Sequence, residues 1–146
     1  MEDLQRRAML GAATLIALGM ATGLLAGLAM TGGIPADGGA MLASHLNAIL
    51  GGLWIAAVGL SLPMLRNEPD GKRLLVRTVV VANFANWALT LLKSFLHVKG
   101  IGLTGDRVND VVFFALLALV VLPSLGAAVA WALGLRAGPT AGATSR

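Results

Sequence analysis

Four long apolar blocks, separated by short polar segments, constrain this chain more than any other feature of its sequence. They cover residues 9–30, 40–65, 75–97 and 111–135. An α-helix needs about 20 apolar residues to cross the hydrocarbon core of a bilayer, and each block reaches that length. We therefore predict an all-α integral membrane protein, a bundle of four transmembrane helices. The bundle forms one domain over residues 1–136, and the small, polar residues 137–146 form a disordered cytoplasmic tail.

Composition supports a membrane protein over a soluble one. Only 12% of the residues are charged, whereas 57% are hydrophobic, and soluble domains carry about 25% charged residues. The formal charge of +4 suggests a nucleic-acid partner, but the basic residues lie in short segments beside apolar blocks, so we expect no nucleic acid. The absence of cysteine excludes disulfides, thiolate metal sites and a cysteine nucleophile.

The first apolar block has two interpretations. A removable signal peptide also begins with a short polar segment followed by an apolar run. This block is long enough to span a membrane, and no small-x-small cleavage site ends it, so we interpret it as a retained helix.

The basic residues also predict the orientation. Eight of the eleven lysines and arginines lie on one side: two before the first block, four in residues 66–77 and two after the fourth block. Cytoplasmic loops are enriched in Lys and Arg. We predict cytoplasmic termini (N-in/C-in) in a multi-pass protein of a bacterial-type inner membrane.

Small residues on the first helix predict a close helix contact. Gly19, Gly23 and Gly27 recur every four residues and share one face, a spacing that lets membrane helices approach closely. Packing within the chain and a homo-oligomer contact explain this face equally well.

Polar side chains inside the apolar blocks are the most informative positions, because hydrocarbon offers them no partner. The second block contains Ser44, His45 and Asn47, and the third contains Asn83, Asn86, Thr90, Lys93 and His97. The third set recurs at steps of three and four, so it forms one stripe on a helix. We predict that this stripe faces protein or a cavity.

The heights of these residues predict that the two sets meet. If the second helix descends from residue 40 and the third rises to residue 97, a rise of ~1.5 Å per residue puts Asn47 near Leu89 and Gly51 near Asn86. His45 then lies level with residues 90–93. Such a cluster forms a binding pocket or, alternatively, only ties the helices together by hydrogen bonds.

The remaining polar and aromatic residues receive structural interpretations. We predict that Lys93 extends outward to the interface, that His97 is interfacial, that Asn109 and Asp110 cap the fourth helix, and that Trp131 is an interfacial anchor. Asp37 is a weak catalytic candidate. The sequence shows no hydrolase triad, membrane carboxylate pair, phosphate loop or HExxH motif, so hydrolysis and phosphoryl transfer are unsupported.

A single histidine in an apolar pocket suits an axial ligand of haem iron. An iron with an open coordination position can act as a Lewis acid on the oxygen of a small molecule. His97 is the only other histidine, and its predicted height differs from that of His45 by about two helical turns, or ~9 Å. This separation disfavours a haem held by both histidines.

Three segments carry a resemblance to a known group of enzymes. They are SHLNAILGGLWIAAVGLSLPML at 44–65, NFANWALTLLKSF at 83–95 and the ending WALGLRAG at 131–138. Together they resemble the small membrane-bound hydroxylaminobenzene mutases and, more distantly, the styrene oxide isomerases, over roughly residues 40–138. The resemblance implies an isomerase that rearranges a small aromatic substrate, converting an aryl epoxide to an aldehyde or an arylhydroxylamine to an aminophenol.

The resemblance to styrene oxide isomerase also implies a cofactor and an assembly. It implies a homotrimer that holds haem b between subunits, with His45 as the axial ligand and the iron binding the epoxide oxygen. The chain departs from the isomerases by having Gly51 where they have an asparagine and Thr90 where they have a tyrosine. It departs from the mutases at Asn47, where they commonly have an acidic residue.

These considerations give one main hypothesis for the site. His45 binds the haem iron, and Asn47, Asn86 and Thr90 orient the oxygen of the substrate. The pocket is lined by Trp54, Phe84, Trp87 and Asn83. Two alternatives remain: a small multidrug-type transporter, for which the first helix lacks the needed carboxylate, and a non-catalytic haem-binding membrane subunit.

Overall fold

The computed structural model describes residues 2–136, and these form four long helical spans. The helices are α1 (Glu2–Met30), α2 (Gly38–Ser61, followed by a 3-10 turn, Leu62–Met64), α3 (Pro69–Leu96), α4 (Arg107–Leu116) and α5 (Leu122–Arg136). A π-helical turn, Leu117–Val121, joins α4 to α5, so Arg107–Arg136 is one span. Each of the four spans is long and apolar enough to cross a membrane. The all-α, four-helix membrane architecture is therefore confirmed, whereas the N-in/C-in orientation stays a prediction.

Two helices begin well before the apolar blocks that reveal them. α1 begins at Glu2 and α3 at Pro69, seven and six residues before the predicted blocks. Hydropathy detects only the part of a helix that lies in lipid. The polar first turns still favour helix, and Pro69 occupies the first helical turn, where the missing N–H of proline costs nothing. The predicted tail, residues 137–146, lies outside the described residues.

The connection between α1 and α2 is defined by local hydrogen bonds. α1 ends where Gly32 adopts a φ of 76° and the Gly33 N–H donates to the Leu28 carbonyl at 2.8 Å, a common glycine C-terminal motif. The Asp37 carboxylate then accepts from the Ala40 N–H at 2.7 Å and caps α2. Asp37 therefore has a structural role as a helix cap.

The prediction that Asn109 and Asp110 cap the fourth span is wrong. The cap is Asp106, whose carboxylate accepts from the Asn109 N–H at 2.7 Å. The buried Asn109 side chain instead accepts from the Gly100 N–H at 2.8 Å, and Asp110 accepts from the Thr104 N–H at 2.9 Å. Both side chains bond to the loop between α3 and α4. The periodicity of the sequence does not reveal this.

α1 and α2 pack closely because small residues lie between them. A Cβ added at Gly19 would lie 2.8 Å from the Ala48 Cβ, and one added at Gly52 would collide with Ile16. By contrast, a Cβ at Gly27 meets nothing within 4 Å. Gly19 therefore serves a contact within the chain, as does Gly23, where an added Cβ would lie 2.9 Å from the ring of His45, whereas Gly27 serves none in the described chain.

The fourth span is the least buried part of the bundle. Only 11% of its most apolar 18 residues are buried, against 28–39% in the other spans. It packs mainly on α3, and the Trp131 Nε1–H donates to Ser61 Oγ at 2.8 Å at the end of α2. Its π-helical turn comes just before Pro123, which has no N–H to donate to the preceding turn.

Candidate active site at membrane depth

His45 lies on the side of α2 that faces α1. Its Nδ1 is 2.7 Å from the Gly19 carbonyl oxygen. A carbonyl only accepts, so Nδ1 carries a proton, and in the neutral tautomer Nε2 then carries the lone pair. The ring approaches α1 because Gly23 has no side chain: a Cβ there would lie 2.9 Å from both Cε1 and Nδ1 of His45. We call His45, Gly19 and Gly23 the imidazole face.

The second ring nitrogen is available to a ligand. Among residues 2–136, Nε2 of the half-buried His45 has no hydrogen-bond partner. A neutral imidazole whose other N–H is held by a carbonyl is the usual arrangement of a metal-binding histidine. The described residues contain no group of three His, Asp or Glu side chains that could hold a bare metal ion. A single imidazole would suffice for an iron whose remaining ligands come from a macrocycle, so His45 is the residue that would hold a haem here.

The predicted contact of Asn47 with the α3 stripe is present. Asn47 Nδ2 donates to Asn86 Oδ1 and to Thr90 Oγ1, each at 3.2 Å. Thr90 Oγ1 also lies 3.5 Å from Asn86 Oδ1. We call these three side chains the amide network. Two of its polar atoms, Asn47 Oδ1 and Asn86 Nδ2, have no protein partner within the described ranges.

His45 does not share a cluster with the amide network. The two residues Asn47 and His45 are two positions apart, so they point to nearly opposite sides of α2. Accordingly, the hydrogen bond of His45 goes to α1, whereas those of Asn47 go to α3. Predicted height placed both residues at similar depth, but it carries no information about the direction in which each side chain points.

The register of α2 against α3 also differs from the predicted one. Gly51 lies against Asn83, where an added Cβ would be 2.6 Å from Oδ1, and not against Asn86. Ser44 Oγ donates to the Trp87 carbonyl at 3.0 Å. The buried Asn83 donates from Nδ2 to the Val79 carbonyl of its own helix at 2.8 Å. Asn83 thus packs inside the bundle, with its side chain buried.

Two of the three predicted aromatic walls lie together. Phe84 and Trp87 line a shallow apolar groove of about 560 Å³ on α3, and Trp54 does not line it. All three aromatic side chains pack against the hydrophobic core. The Trp87 Nε1–H donates to Thr22 Oγ1 at 3.0 Å. Sequence reasoning missed Thr22, although a buried threonine in an apolar helix is a detectable signal. Helix heights were compared only between the second and third blocks, so Thr22 in the first block was not matched with Trp87.

The remaining polar residues of α3 lie near its end. Lys93 Nζ donates to the Lys99 carbonyl at 3.3 Å, which fits the predicted outward extension. His97 is exposed and ends α3 with a φ of 53°. Since Ser44 is level with Trp87, His97 lies about 15 Å further along the axis at ~1.5 Å per residue. The two histidines are therefore too far apart to bind one iron.

Comparisons with known proteins place this geometry in a family. The sequence model of the styrene oxide isomerase family matches residues 4–136. Hydroxylaminobenzene mutase HabB from Ectopseudomonas oleovorans is 32% identical over 109 residues, which cover 67% of this chain and 64% of the mutase. The chain thus aligns with slightly less than two thirds of that relative. No solved structure gives a significant match. With nearly its whole described length matched, this four-helix membrane protein belongs to the styrene oxide isomerase family.

Proposed function

We propose that this protein is a membrane isomerase that rearranges a small hydrophobic aromatic substrate within one molecule. The reaction converts an aryl epoxide to an aldehyde or an arylhydroxylamine to an aminophenol, as the names of the family and of its mutase relative suggest. The observation that carries the proposal is the imidazole face. There the Nδ1–H of His45 donates to the Gly19 carbonyl, which leaves Nε2 as the proposed ligand atom at membrane depth.

His45 is the proposed axial ligand of a haem b. When bound, a ferric haem supplies a Lewis acid for the oxygen of the substrate. The Gly19 carbonyl keeps the proton on Nδ1 and orients the ring, and the missing side chain of Gly23 gives the ring its place. Both residues therefore position the ligand nitrogen without touching the substrate.

The amide network is the proposed group that orients the oxygen of the substrate. Its unused Asn86 Nδ2–H can donate to that oxygen, while Thr90 and Asn47 hold the Asn86 carbonyl in place. Phe84 and Trp87 offer apolar aromatic surface beside it. Because the imidazole face and the amide network lie on opposite sides of α2, we further propose a homotrimer in which the network of one copy faces His45 of the next.

The experiment is an absorption spectrum of the full chain, purified in detergent with added haem. We expect a Soret band for the wild type and for His97→Ala, the matched control, and no band for His45→Ala. Turnover of styrene oxide or phenylhydroxylamine, followed by chromatography, should fall at least 100-fold in His45→Ala only. A band that survives in His45→Ala contradicts the ligand assignment, and a haem-loaded protein that converts neither substrate contradicts the proposed reactions.

Two variants that each lack one part of the proposed site, His45→Ala and Asn86→Ala, test whether the site is shared between copies, and each alone should lose activity. Co-expression of His45→Ala with Asn86→Ala should restore part of the activity, because some interfaces then combine an intact His45 with an intact Asn86. Activity that stays at the level of the single variants contradicts a site built from two copies.

A further inference from the structure

A basic groove lies between the first turns of α1 and α3, far from the imidazole face. It has a volume of about 830 Å³. Arg7 of α1 and Lys72, Arg73 and Arg77 of α3 line it, together with the carboxylate of Asp3. These turns directly precede the apolar parts of both helices, which is the level of lipid headgroups if the spans cross a bilayer. We call this the basic groove.

The positive charge of the basic groove is mostly uncompensated. Within residues 2–136, the ion pair of this region joins Arg73 to Asp70 at 2.9 Å, with both side chains exposed. Arg7, Lys72 and Arg77 have no carboxylate within ion-pair distance in the described chain. These three cations and one carboxylate, that of Asp3, line the groove, so its net charge is positive and it attracts an anion.

The floor of the basic groove is apolar and continues into the membrane. Val80 and Val81 line the basic groove and also the shallow apolar groove on α3 that extends to Phe84 and Ala88. A cationic mouth that opens into an apolar track matches a molecule with an anionic head and a hydrocarbon tail. Basic pockets between transmembrane helices near the cytoplasmic side bind anionic lipid headgroups in this way.

We propose that the basic groove binds an anionic phospholipid. Its phosphate lies among Arg7, Lys72 and Arg77, and one acyl chain follows Val80 and Val81 along α3. Gly19, which holds His45, lies twelve residues beyond Arg7 on α1, or about 18 Å along the helix. The phosphate end of the lipid site is therefore separate from the proposed haem ligand, and lipid binding does not depend on the proposed reaction.

The test measures lipid binding to the full chain by native mass spectrometry. Phosphatidylglycerol is compared with phosphatidylcholine carrying the same acyl chains. Lys72→Gln/Arg77→Gln should weaken phosphatidylglycerol binding on the order of 10- to 30-fold, since each basic residue near a membrane surface contributes a several-fold effect. It should leave phosphatidylcholine binding unchanged. The matched control, Arg66→Gln/Arg136→Gln, removes the same charge outside the groove and should change neither.

A charge-preserving variant and a soluble competitor complete the experiment. Lys72→Arg/Arg77→Lys should retain the preference for phosphatidylglycerol, and millimolar inorganic phosphate should not displace the lipid. Equal losses in the groove and control variants would overturn the proposal, because they show a nonspecific effect of charge. Displacement of the lipid by phosphate would also overturn the proposal. So would a groove variant that keeps its preference for phosphatidylglycerol and changes only the oligomeric mass.

Discussion

The two faces of α2 carry polar side chains at similar depth, but these side chains differ in how their hydrogen-bonding groups are satisfied. In the amide network, Asn47, Asn86 and Thr90 bond to one another across two helices. On the imidazole face, His45 bonds to a backbone carbonyl and keeps one ring nitrogen unpartnered in the described chain. The comparison teaches that polar residues two positions apart serve different purposes. One set ties helices together and leaves one donor and one acceptor without a partner in the described chain, while the other leaves one ring nitrogen of a histidine without a partner.

The largest expected effect comes from crowding the imidazole face. Gly23→Leu puts a side chain where even a Cβ would lie 2.9 Å from the ring of His45, so the ring must leave the Gly19 carbonyl. Loss of a group that orients a metal ligand lowers metal affinity about 10- to 100-fold. Haem titration followed at the Soret band measures this. Gly27→Leu, on the same helix with nothing within 4 Å, is the control, and equal loss in both variants would break the comparison.

The next effect tests packing beside the amide network. Gly51→Ala places a Cβ 2.6 Å from Asn83 Oδ1, and overpacking of this kind costs about 1–3 kcal/mol. Unfolding in mixed detergent and dodecyl sulfate measures the free energy. Gly126→Ala, which meets nothing within 4 Å, should be neutral. If Gly51→Ala unfolds like the wild type, the close contact of α2 with α3 is not as described.

Removing the amide network itself should have a smaller effect on stability. Asn47→Leu deletes both donated hydrogen bonds, and interhelical bonds in membranes contribute about 0.6 kcal/mol each on average. The expected loss is about 1 kcal/mol. A double-mutant cycle with Thr90→Val isolates the coupling between the two side chains. The haem affinity of Asn47→Leu should stay within about twofold of wild type, and a tenfold fall would show that the two faces are not independent.

The smallest effect concerns the hydrogen bond that joins α1 to α3. Thr22→Val preserves the shape of the side chain but leaves the Trp87 Nε1–H without its acceptor. The expected loss is about 0.6 kcal/mol. Thr14→Val is the control on the same helix, because Thr14 is exposed. Equal stability of the two variants would show that the indole finds another partner.

Some of the site was predictable from sequence because helical rise converts residue number into depth. Asn47 was predicted near Leu89, and it bonds to Asn86 and Thr90 on either side of that level. The same estimate put Gly51 beside Asn86, one turn from its real neighbour Asn83. The error of about three residues arose because hydropathy located each helix end inexactly: α2 begins two residues earlier, at Gly38, and α3 ends one residue earlier, at Leu96.

The sequence by itself determined the four spans, since about 20 consecutive apolar residues have few stable places outside a bilayer. It also determined which positions are polar at depth, since hydrocarbon makes each of them costly without a partner. Only the tertiary structure decided that His45 faces α1 while Asn47 faces α3, and that Thr22 holds Trp87. These contacts depend on the direction in which each helix presents its faces. That direction is settled by the packing of several helices at once and not by any one segment.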